Sequence, residues 1–111
     1  MKPDLVNAVL NSSTELAIIA TSSEGVIEVF NRGAELMLGY SAEEMVGKMT
    51  PAIFHDESEV KAYASVLSAK YSQEISGFRV LVHEPERQGH ECRMWTYIRK
   101  NNSRLTVNLT I

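Results

Sequence analysis

Apolar residues in the first half of the chain come in two short runs, AIIA at 17–20 and VIEVF at 26–30, on either side of Ser23-Glu24-Gly25. Short apolar runs bounded by turn residues read as strands, and glycine supplies the positive φ of a tight turn. The pattern predicts an antiparallel hairpin with strands at 17–22 and 26–30, joined at Glu24-Gly25. Helical spacing then takes over. Asn31 offers a side-chain oxygen to the free N–H groups of a helix start; Ala34, Met37 and Leu38 carry the spacing, and Gly39 breaks it. Ser41, with Glu44 three residues on, is the reciprocal capping pattern that opens a second short helix, ended by Gly47. Thr50-Pro51 interrupts the backbone. Asp56 opens the one long helix, and Val60, Tyr63, Ala64, Leu67 and Tyr71 fall on one face of it.

Ahead of the first hairpin, Leu5, Val6, Val9 and Leu10 line one side of a short helix within 1–12, begun by Pro3 and ended by Asn11-Ser12-Ser13. Such a stripe reads first as a lid on the domain's own apolar surface, and second as a dimer contact or an incoming signal helix. The segment 77–89 is ambiguous: Phe78, Leu81 and Val82 suit a helical turn, Phe78, Val80 and Val82 alternate like a strand, and Pro85 ends either one. A second hairpin follows at 92–100 and 104–111. A two-residue loop at Asn101-Asn102 sets Ile98 opposite Leu105, Thr96 opposite Val107, Met94 opposite Leu109 and Cys92 opposite Ile111, on one largely apolar face. The other face then carries Arg93, Trp95, Tyr97, Arg99, Thr106 and Asn108. In the first hairpin the same arithmetic groups Ile18, Ala20, Ile27 and Val29.

The string from Gly25 to Lys48, G-x-I-x-x-x-N-x-x-A-E-x-x-x-G-Y-S-x-E-E-x-x-G-K, resembles the N-terminal signature of PAS domains. YIRKNNSRLTVNL at 97–109 resembles the family's C-terminal R-K-D-G-S hairpin, with Asn101-Asn102 in place of Asp-Gly. Asparagine tolerates left-handed backbone, so the turn chemistry survives. The likeness runs from Ser13 to the last residue. It implies an α+β PAS fold: an antiparallel sheet with short helices and one longer helix packed on one face. Residues 1–111 form a single domain, with 1–12 as an N-terminal cap helix. It also makes 77–89 a helix leading into the third strand. Domains of this family have five strands, the fifth lying between the first and the fourth. Four are counted here, so the final central strand is expected to be missing, supplied by about twenty further residues or by a second copy of the chain. The implied function is a sensory and signal-transduction module. It would bind a small ligand or cofactor, or dimerise, to regulate an attached histidine kinase, diguanylate cyclase or transcription factor.

Composition narrows the classes without naming one. A length of 111 residues, 44% hydrophobic and 23% charged, supports one core without staples and excludes a disordered chain. A net charge of −3 leaves no basic stripe for nucleic acid. One cysteine forms no internal disulfide, and no long apolar run is present, so the expected setting is cytoplasmic with no membrane contact by this domain. The Asn-x-Ser/Thr sites at Asn11, Asn101 and Asn108 then read as chance.

The expected pocket lining is Asn31, Met37, Phe54, Met94, Thr96, Ile98, Leu105 and Val107. The expected contact surface for a homodimer is the N-terminal helix with the outer sheet face: Leu5, Val9, Trp95 and Tyr97. Haem-binding relatives use a histidine from the long helix, whereas His55 lies at its start beside Asp56 and reads as a surface or capping residue. Flavin-binding relatives place a reactive cysteine just ahead of that helix, where this chain reads TPAIFHD; Cys92 is on the wrong element. His83 and His90, among Glu84, Glu86 and Glu91, read as a polar loop rather than a metal site. No nucleophile–base–orienter set or phosphate loop is visible, so no catalysis is expected of this domain and no cofactor is named. The alternative to a ligand sensor is an interaction domain whose core is filled by Met37, Met45, Met49, Phe54 and Met94.

Overall fold

The computed structural model describes residues 15–111; the helix expected at 1–12, with Leu5 and Val9, lies outside them. Two antiparallel hairpins enclose the helices in sequence. The first pairs β1 (Ile19–Thr21) with β2 (Ile27–Phe30). Then come α1 (Arg32–Leu38), α2 (Ala42–Met45), a 3-10 turn (Pro51–Phe54), α3 (Glu57–Tyr71) and α4 (Arg79–Gln88). The second hairpin pairs β3 (Cys92–Ile98) with β4 (Arg104–Thr110). The expected helix at 77–89 is therefore found. Pro85 does not end it: it sits inside α4, and the helix continues to Gly89, whose N–H is donated to the Pro85 carbonyl.

The local signals act where they stand. Asn31 caps α1, and Gly39 closes it at φ 82°. Both halves of the Ser41–Glu44 capping box are present on α2. Asp56 caps α3, its carboxylate accepting the N–H groups of Ser58 and Glu59. Gly25, at φ 92°, makes the first turn, and a Cβ there would fall 2.8 Å from the Phe78 ring. That close approach locks the start of α4 onto the β1–β2 turn.

Two registers differ from expectation. A bulge between β1 and β2 pairs Thr21 with Ile27 but Ala20 with Val29 and Ile19 with Phe30. The extra residue turns Ile27 and Phe30 into the core and leaves Ala20 exposed, instead of uniting Ile18, Ala20, Ile27 and Val29. In the second hairpin the loop has three residues, Lys100, Asn101 and Asn102, closed by the Arg99 N–H donated to the Ser103 carbonyl (2.8 Å) with Asn102 at φ 69°. Tyr97 consequently faces Leu105, Trp95 faces Val107 and Arg93 faces Leu109. A slip of one residue sends every side chain of one strand to the opposite face. Trp95 (5% exposed) and Tyr97 (4%) are core residues, while Met94 is 69% exposed.

The core gathers Ile27, Phe30, Ala34, Leu38, Met45, Phe54, Leu67, Ile75, Val80, Leu81, Trp95 and Tyr97. The expected apolar face of α3 does pack against it, with Leu67 buried and Val60, Tyr63, Ala64 and Tyr71 partly so. Among the described residues the hairpins form two separate two-stranded sheets. Between β1 and β4 runs a groove of about 390 Å³, lined by Ala17, Ile18 and Ile19 on one side and by Val107, Asn108 and Leu109 on the other. Among the described residues no helix is long and apolar enough to cross a membrane.

Candidate functional site around His55

His55 follows the 3-10 turn and immediately precedes the α3 cap. Its backbone bridges to Tyr97 of β3, and the Asp56 N–H is donated to the Thr96 carbonyl, so this junction is laced to the sheet edge. The side chain is buried, at 4% exposure, where a surface or capping histidine was expected. The reason is the hairpin register: with Trp95 and Tyr97 turned inward, the imidazole packs T-shaped against both rings, at centroid distances of 5.2 and 4.9 Å, and lies beside Phe54 at 5.7 Å. Neither imidazole nitrogen has a hydrogen-bond partner. Burial lowers its pKa to about 4 against the opposing pull of Glu59, so the ring is neutral at pH 7. The same burial raises the Tyr97 hydroxyl to about 12.

His55 contributes to the wall of a cavity of about 610 Å³ between α3 and the start of α4. Pro51, Ala52, Val60, Ala64, Phe78 and Leu81 supply the apolar walls. Glu57 and Lys61 also line it, paired to each other at 2.9 Å and largely exposed. The size falls within the usual range of small-molecule sites, roughly 300–1,000 Å³.

Glu59 tethers α3 to β3: its carboxylate accepts the Thr96 N–H (2.7 Å) and hydroxyl (2.9 Å). A sequence reading stops at the helix start for this residue, because its partner lies 37 positions away. Arg104 pairs with Asp56, and the Ser58 hydroxyl followed by that guanidinium holds the Asp56 carboxyl at about 2. A buried carboxylate, Glu84, accepts from Tyr71 and from Lys70 (3.0 Å), and these bonds keep its pKa below the ordinary glutamate value. Glu86 pairs with Arg79, and Glu91 accepts from Tyr63 at 3.0 Å while the Arg93 guanidinium lies 3.8 Å over the Tyr63 ring. Among the described residues no three His, Cys, Asp or Glu side chains gather as a metal-ligand set.

The residues expected to line a pocket are dispersed. Met37 and Val107 meet at the β1–β4 groove. Phe54 is core, 4.9 Å from Tyr97. Asn31 is spent on backbone: its oxygen accepts the N–H of Ala34 (2.9 Å) and Ile18 (2.8 Å), and its nitrogen donates to the Leu16 carbonyl (2.9 Å). Thr96 is taken by Glu59; Ile98 and Leu105 are half-buried; Met94 points outward. None of these eight borders the His55 cavity. Trp95 and Tyr97, expected at a dimer contact, are enclosed and offer no outer patch. Cys92 is exposed on β3, its thiol donating to Asn108 (3.0 Å), and does not line the cavity either.

Residues 4–111 match the family model of the PAS fold. Among solved structures the chain is similar to the PAS domain of a protein from Colwellia psychrerythraea, known from a crystal structure. The two are 19% identical with a TM-score of 0.72, over 96% of this chain and 77% of that one. At that identity the likeness is one of fold. No curated protein matches the chain in sequence.

Proposed function

The chain belongs to the PAS family, whose domains are sensory and signalling modules, and from that premise we propose that it senses a small molecule and regulates an attached output domain. The observation that carries this reading is the cavity between α3 and α4, bordered by a buried histidine with no hydrogen-bond partner. An unpaired buried polar group is the kind of defect a fold keeps for function rather than for stability. The junction holding His55 is bonded directly to β3, so a change at the cavity reaches the sheet. A ligand that prefers one arrangement of this junction biases the populations of the two. Output domains of the kinase, cyclase or transcription-factor type fit this role, as does a cytoplasmic setting for an exposed lone thiol.

The test is signalling by the protein together with its output domain. Ala64→Phe, which fills the cavity from α3, is expected to make output unresponsive while leaving the domain folded. A folded Ala64→Phe protein that responds like wild type would sink the reading. Visible absorption of the purified domain separates a coloured cofactor, haem or flavin, from a colourless ligand.

The groove between β1 and β4 supports a second element of the reading: a fifth strand seated there and pairing with both. Its apolar lining and the two edges that no described strand pairs are what such a strand needs.

A further inference from the structure

The chemistry of the His55 cavity restricts what it can hold. The walls are largely apolar, with Thr50 and Ser76 as the uncharged polar residues besides His55, and Glu57 and Lys61 cancel one another. A charged ligand would therefore lose its hydration without gaining a counter-ion. Thr50 and Ser76 bring hydroxyls to the exposed rim, whereas the buried polar group on the lining is the His55 imidazole, which carries one donor and one acceptor nitrogen and satisfies neither. Both nitrogens are shut off from solvent, and the ring is packed among Phe54, Trp95 and Tyr97, so we take pairing with a ligand to require the ring to turn.

We propose that the cavity takes an uncharged, largely apolar molecule with a single hydrogen-bonding head, of the phenol or indole kind, and that His55 reads the head. This deepens the sensory reading and rests on it. The turn of the ring withdraws the imidazole from Trp95 and Tyr97. Occupancy is thereby converted into repacking of β3, the strand that Glu59 and His55 already bind. His55 is a recognition residue in this scheme, and Trp95, the one tryptophan of the chain, is its built-in reporter.

The probes are 4-propylphenol, its methyl ether 4-propylanisole and the anion 4-propylbenzoate. Each is titrated into the protein with Trp95 emission and equilibrium dialysis as parallel measurements. The phenol is expected to bind and to shift the emission, the ether to bind about tenfold more weakly for want of one hydrogen bond, and the anion not to bind. His55→Phe, alike in shape but without nitrogens, should lower the affinity for the phenol about tenfold or more and bring phenol and ether to equal affinity. Equal affinities for phenol and ether in the wild type, undiminished phenol binding in His55→Phe, or no binding of either overturns the assignment. Circular dichroism establishes whether His55→Phe folds. If it does not, imidazole nitrogen shifts in the wild type decide: they must move on addition of the phenol, and unmoved shifts overturn it. Silence of all three probes, with output still abolished by Ala64→Phe, would reject the ligand class and leave the sensory reading standing.

Discussion

A single asparagine and a single histidine show how differently two buried polar residues are treated in this fold. Asn31 spends its amide on backbone groups of Leu16, Ile18 and Ala34, so it holds the segment leading into β1 against the start of α1. Asn31→Ala should therefore cost more than an ordinary lost cap, about 2 kcal/mol or above, in urea unfolding. A loss below about 0.5 kcal/mol would place the residue among ordinary surface positions. His55 has no such partners. Its folded pKa, about 4, lies below the ordinary value of 6.5, so the unfolded chain takes up a proton first as the pH falls. Its contribution is complete above pH 6.5 and is lost on the way down to pH 4. The loss is on the order of 3 kcal/mol. Glu59 on α3 and Tyr97 on β3 are the titratable groups packed about it; Glu59 favours the protonated ring, and Tyr97 stays neutral throughout. Measured as the difference between wild type and His55→Phe, stability should fall across this window. A flat difference would mean that the ring is hydrated.

At the scale of elements, the β3–β4 hairpin decides which residues count as core. Its three-residue loop, with Asn102 in left-handed backbone, puts Trp95 inward and Met94 outward. Trp95→Ala is expected to cost about 3–5 kcal/mol, as for other buried aromatics. Met94→Ala should stay within about 0.5 kcal/mol. Chemical denaturation of the pair reads the register directly, and the reverse order would restore the two-residue loop. Helix α4 makes a related point. Pro85 removes one N–H from the middle of the helix, yet Leu81, Val80 and Glu84 around it are buried, and that packing outweighs the missing bond.

For the whole molecule, the open question of stability lies between the hairpins. β1 and β4 each keep one edge that no described strand pairs, and an isolated hairpin is marginal in water. Here a shared hydrophobic core, rather than a continuous sheet of the described strands, joins the two halves, through residues such as Phe30, Leu38, Phe54 and Tyr97. Filling the groove with a fifth strand should raise and sharpen thermal unfolding of the domain. A gain of only 1 kcal/mol is worth about 4–8 °C at this size. The comparison is between these 111 residues and a version extended through one more strand, with light scattering to detect pairing between copies. Equal midpoints for two monomeric proteins would exclude the strand from this groove.

What the sequence determined by itself is what short range controls. Asn31, Ser41 with Glu44, Asp56 and Gly39 start or stop helices through bonds to neighbours within a turn, so the three helices they bound were legible in order and type, whereas α4 was not. The family signature, read off the same local pattern, led to the right fold. What the tertiary structure decided is everything that turns on one residue of register. Whether the loop has two residues or three is a small local energy difference, settled by the packing of Trp95 and Tyr97 beneath α3. It reverses an entire strand face. The burial of His55 and its neutrality follow from that reversal, which is why no periodicity in the chain pointed to them.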